Sequence, residues 1–213
     1  MRNYQYILLD WDGNLAKTLD LWLEAFRTVL YEEGFRPSDE EIAGSFGKTQ
    51  DYFASLGITD PAAVYDRADR LASKKLPDVE LYPDALEVLQ YVKDKNKKTA
   101  LITASPHANV HHLLERYKLY PLFDVVITRD DVVHHKPDPE SLIKALEQLG
   151  GNKDQAIMIG DSDKDLGAAA NAGVDSLLFY PPAHKKFYNL EKLKQLNPTY
   201  IVEDFRKVMD IVR

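Results

Sequence analysis

Tyr6-Ile7-Leu8-Leu9-Asp10-Trp11-Asp12-Gly13 sets a short apolar run directly against two carboxylates and a glycine. A run this short, closed by a turn-forming Asp-Gly, reads as a buried strand that delivers both carboxylates to its carboxyl end. Thr99 to Ile102, Val125 to Ile127 and Ala156 to Ile159 have the same form, each followed by polar residues and then a helical pattern. Ser176 to Tyr180 and Tyr200 to Val202 extend the series. Strands alternating with helices at this spacing imply a parallel sheet covered on both faces, with its polar strand ends along one edge. The expected fold is therefore α/β, a Rossmann-like parallel sheet.

Residues 17 to 80 interrupt the alternation. Leu19, Trp22, Leu23, Phe26, Val29 and Leu30 recur at helical spacing, Gly34 can stop that helix, and Ser38 with Glu41 fits a capping box that opens the next. Further helical patterns run from Thr49 to Leu56 and from Pro61 to Leu71, with no strand pattern between them. The organisation expected is a core made of residues 1–16 and 81–213, with a small all-helical cap, residues 17–80, inserted after the first strand. A chain of 213 residues, 45% of them apolar, has enough material for one good core plus such an insertion.

The formal net charge is −7 and no long block of like charge appears, which argues against nucleic acid as the main partner. A small anion remains a compatible ligand, because a local cation reverses the field inside one cleft. The absence of cysteine excludes disulfides, thiolate metal sites and thiol nucleophiles. No apolar stretch near the amino terminus resembles a signal peptide, and none anywhere reaches the roughly 18 residues of a membrane span. The expectation is a soluble, cytoplasmic protein, monomeric or weakly dimeric, without membrane partners.

Residues suited to phosphate chemistry stand at four strand ends: Asp10 and Asp12, Thr103, Lys136, and Asp161 with Asp165. Uncatalysed phosphate-monoester hydrolysis is so slow that enzymes accelerate it by up to about 10²¹-fold, more than one side chain can supply. So many carboxylates in one place repel one another, and a hard divalent cation with oxygen ligands is the usual remedy. The stretches Asp10-Trp11-Asp12-Gly13-Asn14-Leu15, Leu101-Ile102-Thr103, Lys136-Pro137 and Gly160-Asp161-Ser162-Asp163-Lys164-Asp165 together resemble the haloacid dehalogenase superfamily. Within it the likeness is to phosphatases with an inserted helical cap, of the phosphoglycolate phosphatase and β-phosphoglucomutase kind. A lone Asp-x-Asp is weak; four motifs in order, with the insertion in place, cover essentially the whole chain.

The resemblance implies roles. Asp10 is the expected nucleophile, forming a phosphoaspartate, and Asp12 the general acid and base. Mg²⁺ is the expected cofactor, held by the Asp10 and Asp161 carboxylates and the Asp12 carbonyl, with Asp165 ligating or orienting a bound water. Asp165 also has a purely structural reading, as partner of Ser162 at a helix start. Thr103 and Ala104 are expected to seat the phosphoryl group, with Ser105 the competing hydroxyl. Ser105 followed by Pro106 reads as a helix cap with proline at the first helical position. Lys136, held before Pro137, is expected to neutralise the nucleophile and the transferring oxygens.

Lys48, in the Gly44-Ser45-Phe46-Gly47-Lys48 loop, resembles a cap residue that contacts substrate, and has an equal claim to be an ordinary surface lysine. Asn14 stands where the family usually has threonine, and Trp11 where it usually has phenylalanine. His107 and His111 share a helix face but lack further zinc ligands, so a solvated face is expected; His134 and His135 are ambiguous. Asp163 and Lys164 read as solvated first-turn residues. The function expected is hydrolysis of a small phosphorylated metabolite, phosphoglycolate-like or a sugar phosphate. A phosphomutase of the β-phosphoglucomutase type and a non-catalytic phosphate-binding regulator are the alternatives.

Overall fold

The computed structural model describes residues 2–213. Six strands form one parallel sheet: β1 (Tyr6–Leu9), β2 (Lys98–Ile102), β3 (Val125–Ile127), β4 (Ala156–Gly160), β5 (Asp175–Phe179) and β6 (Tyr200–Val202). Their order across the sheet is β3-β2-β1-β4-β5-β6, all neighbours parallel. Each run expected from sequence is a strand; the fifth is shifted one residue, because Asp175 already pairs with Ile157 and Tyr180 falls beyond the last paired position.

Side chains alternate across the sheet as the pleat requires. Ile7, Leu9, Leu101, Ile157 and Ile159 join one core layer, built with α5 (Ala85–Asp94), α6 (His107–Arg116) and, at the far end of the chain, Val208 and Val212. Leu8, Ala100, Ile102 and Met158 join the opposite layer, under α7 (Glu140–Leu149) and α8 (Asp163–Ala172). Burial on both faces explains why these strands are apolar throughout.

Between β1 and α5 lie four α-helices: α1 (Leu19–Glu32), α2 (Asp39–Gly44), α3 (Thr49–Ser55) and α4 (Pro61–Ser73). The Ser38–Glu41 capping box is formed, and Asp60 caps α4 through the Ala63 N–H. These helices close around their own core, where Trp22 stacks on Phe26 and Phe26 meets Phe46, Phe53 and Tyr65. Phe187, from the segment after β5, completes it. The two connections to the sheet run side by side: Ala16 bridges Leu81, Lys17 N–H donates to Glu80 O, and Tyr82 N–H donates to Leu15 O.

β1 is flanked by β2 and β4, and the chain builds outward first on one side and then on the other. Parallel α/β sheets bind ligands outside the strand ends at such a reversal. The register pairs Leu9 with both Leu101 and Ile159, so Asp10 leaves the sheet within one residue of the level of Thr103 and Asp161.

Candidate active site

Asp10 follows β1, and its backbone N–H still donates to Ile159 O at 2.9 Å, which ties it to the sheet. The chain then turns over Trp11, whose carbonyl accepts from Leu15 and Ala16, while the Asn14 side-chain amide donates to Asp10 O at 3.0 Å. Gly13 is required here. Its φ is +78°, and a Cβ would lie 2.2 Å from Asp161 Oδ2.

Lys136 Nζ is 2.6 Å from Asp10 Oδ1, 2.6 Å from Asp165 Oδ1 and 3.2 Å from Ile102 O, and all three side chains are buried. The other Asp165 oxygen accepts from Ser162 N–H and Oγ. One oxygen therefore serves the helix start, as the structural reading expected, and the other pairs with Lys136 in the cleft. Carboxylate oxygens of Asp10, Asp161 and Asp165 lie within 4.8 Å of one another. Burial, then Asp165, pushes the Asp10 carboxyl up to about 8 against the pull of Lys136. Asp161 is also pushed well up, first by burial and then by Asp165 and Asp10. Burial opposes charge on Lys136, but Asp10 and Asp165 outweigh it and raise its pKa.

Three buried carboxylates facing one ammonium leave a deficit of two positive charges. An all-oxygen cluster with that deficit fits a hard divalent cation.

Asp12 sits beside this group under three donors: Ser105 Oγ at 2.7 Å, Trp22 Nε1 at 3.1 Å and Thr103 Oγ1 at 3.4 Å. Thr103 also accepts from Ser105 N–H at 2.9 Å, so its hydroxyl shapes the turn from within. A cleft of about 370 Å³ lies over these residues, and its lining includes Ala104 and Ser105 but not Thr103.

Several expectations need correction. Ser105 does not cap α6: Pro106 is extended (φ −58°, ψ 150°), the helix begins at His107, and Asp130 takes the His107 N–H. The Ser105 hydroxyl donates instead to Asp12 Oδ2. Lys164 is not solvated. Its side chain is 15% exposed, it lines the cleft and it lies against Gly47, because the inserted helices fold down onto the start of α8. Asp163, by contrast, is exposed as expected. His107 and His111 stack on each other at 5.3 Å, with the His111 ring bonded to Tyr120 OH, so His111 is half-buried rather than fully solvated. His135 borders the cleft, whereas His134 lies outside it against Glu140.

Lys48 lies on the cleft wall, exposed, at the start of α3. Across from the inserted helices the core contributes Arg129, whose Nη1 is 3.4 Å from Tyr65 OH and whose guanidinium lies 5.6 Å from that ring's centroid. Among the described residues neither cation pairs with a carboxylate. Sequence reasoning missed Trp22, Arg129, Tyr188 and His184. Trp22 showed only as a helix-core residue, and Arg129 carried no motif or spacing that singled it out. Tyr188 lines the cleft, and burial followed by the Asp161 carboxylate raises its pKa. His184 is fully buried behind Asp161, and burial holds its pKa down at about 4.

Residues 7–179 match the family model described as haloacid dehalogenase-like hydrolase. Pyrophosphatase PpaX of Bacillus cereus (strain AH820) is 30% identical over 210 residues, spanning 90% of this chain and 94% of that protein. A solved structure from Bacteroides fragilis, provisionally assigned as a haloacid dehalogenase-like hydrolase, matches with TM-score 0.86 at 27% identity, covering 97% of this chain and 100% of that one. Another from Thermotoga maritima, provisionally assigned as a β-phosphoglucomutase, matches with TM-score 0.74 at 25% identity, covering 98% and 100%.

Proposed function

The chain belongs to the haloacid dehalogenase-like hydrolase family, and from that premise we propose that it is a Mg²⁺-dependent phosphatase acting on a small anionic phosphate compound through Asp10. The observation that carries the proposal is Lys136 bridging Asp10 and Asp165 in a buried pocket, with the Asp161 carboxylate beside them and Asp12 held within reach.

Asp10 attacks phosphorus in line. The new bond runs from its carboxylate oxygen to phosphorus as the bond to the leaving oxygen breaks, giving a phosphoaspartate. Asp12 gives its proton to the leaving oxygen. In the second step water attacks the phosphoaspartate, Asp12 takes a proton from it, and Asp10 returns as a carboxylate with release of inorganic phosphate. Lys136 favours the ionised form of Asp10 against burial and shields the transferring oxygens. Asp10, Asp161 and Asp165, with the Asp12 carbonyl, would hold the Mg²⁺ ion, which when bound neutralises the carboxylates and the phosphoryl group. Ala104 and Ser105 line the phosphoryl end, and Thr103 sets the turn that presents them.

Under this reading residues 17–80 act as a cap that excludes water and contributes Lys48. With Arg129 from the core, the cleft offers two cations beyond the one at the reacting centre that pair with no carboxylate among the described residues, while Lys164 pairs with Asp163. That favours a substrate with a second anionic group, such as pyrophosphate, a phosphorylated carboxylate or a bisphosphate.

The test is phosphate release from p-nitrophenyl phosphate, pyrophosphate and a panel of metabolite phosphates, with Mg²⁺ or EDTA, for wild type and Asp10→Asn. Metal-dependent release abolished by the substitution is the expected result. Release that survives the substitution, or that ignores EDTA, sinks the proposal.

A further inference from the structure

The segment after β5 turns through Pro181 and Pro182 and carries His184 into a closed aromatic box. Tyr82, Phe179, Tyr180, Phe187 and Tyr188 surround the imidazole, with ring centroids 5.7 to 6.4 Å from it. On one side Nε2 is 2.7 Å from Tyr82 OH. On the other, Nδ1 makes no hydrogen bond of good geometry and stands 3.9 Å from Asp161 Oδ2, which has no partner either, while the Phe179 backbone also favours a proton on the ring.

Two buried polar atoms facing each other without partners is a costly arrangement unless they pair in the working state. The tautomer follows from the surroundings. If Nε2 carried the proton, a bare Nδ1 lone pair would point at a carboxylate oxygen, and the Tyr82 hydroxyl proton would have no acceptor. If Tyr82 donates to Nε2, the ring proton sits on Nδ1 and faces Asp161. The second arrangement satisfies each group.

We propose that His184 is a positioning residue for the metal ligand Asp161, its Nδ1–H taking Oδ2 as acceptor so that the other carboxylate oxygen is aimed at the cation. A small rotation of the carboxylate brings the 3.9 Å separation to hydrogen-bond length. Gly13 packs closely against that oxygen, where a Cβ would lie 2.2 Å from it. Partners of this kind behind a metal ligand are worth about 10- to 100-fold in metal affinity. The inference rests on the proposed function, since it takes Asp161 as a ligand.

The experiment is Mn²⁺ binding followed by the free-ion electron paramagnetic resonance signal, with Mg²⁺ competition, in the absence of substrate. It compares wild type, His184→Phe, His184→Gln and Tyr82→Phe. His184→Phe is expected to bind about 10- to 100-fold more weakly. His184→Gln, whose amide can still donate, should recover part of that loss, and Tyr82→Phe should weaken binding by less because it removes only the bond that fixes the tautomer. Equal affinity in wild type and His184→Phe overturns the inference and leaves His184 as packing. Should His184→Phe fail to fold, unchanged affinity in both Tyr82→Phe and His184→Gln overturns it. Wild-type protein that binds no Mn²⁺ overturns the ligand set itself, and the inference with it.

Discussion

The indole Nε1–H of Trp22 donates to Oδ1 of Asp12 at 3.1 Å. Trp22 lies on α1, in the core of the inserted helices, so one hydrogen bond ties that core to the carboxylate assigned as acid and base. Trp22→Phe keeps the stack on Phe26 and removes the donor. We expect kcat for alkyl phosphates to fall about 10-fold, a fraction of the 10²- to 10⁴-fold typical of general acid catalysis. p-Nitrophenyl phosphate, whose leaving group needs little protonation, should be nearly unaffected. Equal losses on both substrates would show that the bond does not act through Asp12.

Metal and pH should act together on stability. The folded-state pKa of Asp10 is raised from 3.8 to about 8 without a cation. A carboxyl with a raised pKa binds more protons folded than unfolded, so its contribution is complete below about pH 4 and is lost as pH rises through about 8. Metal-free protein should therefore lose stability across that window, and saturating Mg²⁺ should flatten the profile. Urea unfolding at several pH values, with EDTA or Mg²⁺, checks both halves.

Gly13 and Gly34 give a matched pair. Both have positive φ, +78° and +88°, but a Cβ on Gly13 would meet Asp161 Oδ2 at 2.2 Å whereas one on Gly34 meets nothing within 4 Å. Each alanine substitution should cost about 1 to 3 kcal/mol through backbone strain. Only Gly13→Ala should also lower kcat, by 100-fold or more, because Asp161 must move. Thermal unfolding and steady-state kinetics on the two variants separate the effects.

Arg129→Ala should raise KM for substrates with a second anionic group by about 10-fold or more, in line with loss of a charge-assisted hydrogen bond. KM for p-nitrophenyl phosphate should stay the same. A uniform rise across the panel would place Arg129 at the reacting phosphoryl group or in the packing on Tyr65.

The legible parts of the molecule were those that depend on short stretches of chain. Apolar runs ending in Asp10, Thr103 and Asp161 identify strands whose register must bring their ends level, because a strand buried on both faces has little freedom to slip. The capping boxes and helical spacing of the insertion are equally local. What could not be read depends on how the inserted helices lean on the sheet. Lys164 looks solvated until Gly47 is laid over it, Ser105 reads as a helix cap until Asp12 is beside it, and Trp22 is one apolar helix residue among several. His184 sits in a stretch of prolines and lysines where nothing in the spacing points back to a carboxylate more than twenty positions earlier.

The family match ends at residue 179, and every motif aspartate and Lys136 precede that point. Phe187 inside the inserted core, Tyr188 on the cleft wall and His184 behind Asp161 all follow it. The chain up to Phe179 thus carries the motifs but not the backing of the pocket. Two relatives with identical motifs and different tails would differ in what lies behind Asp161 and what fills the inserted core. Chimaeras that exchange the chain beyond residue 179 between such relatives are the natural way to move those properties without touching the chemistry.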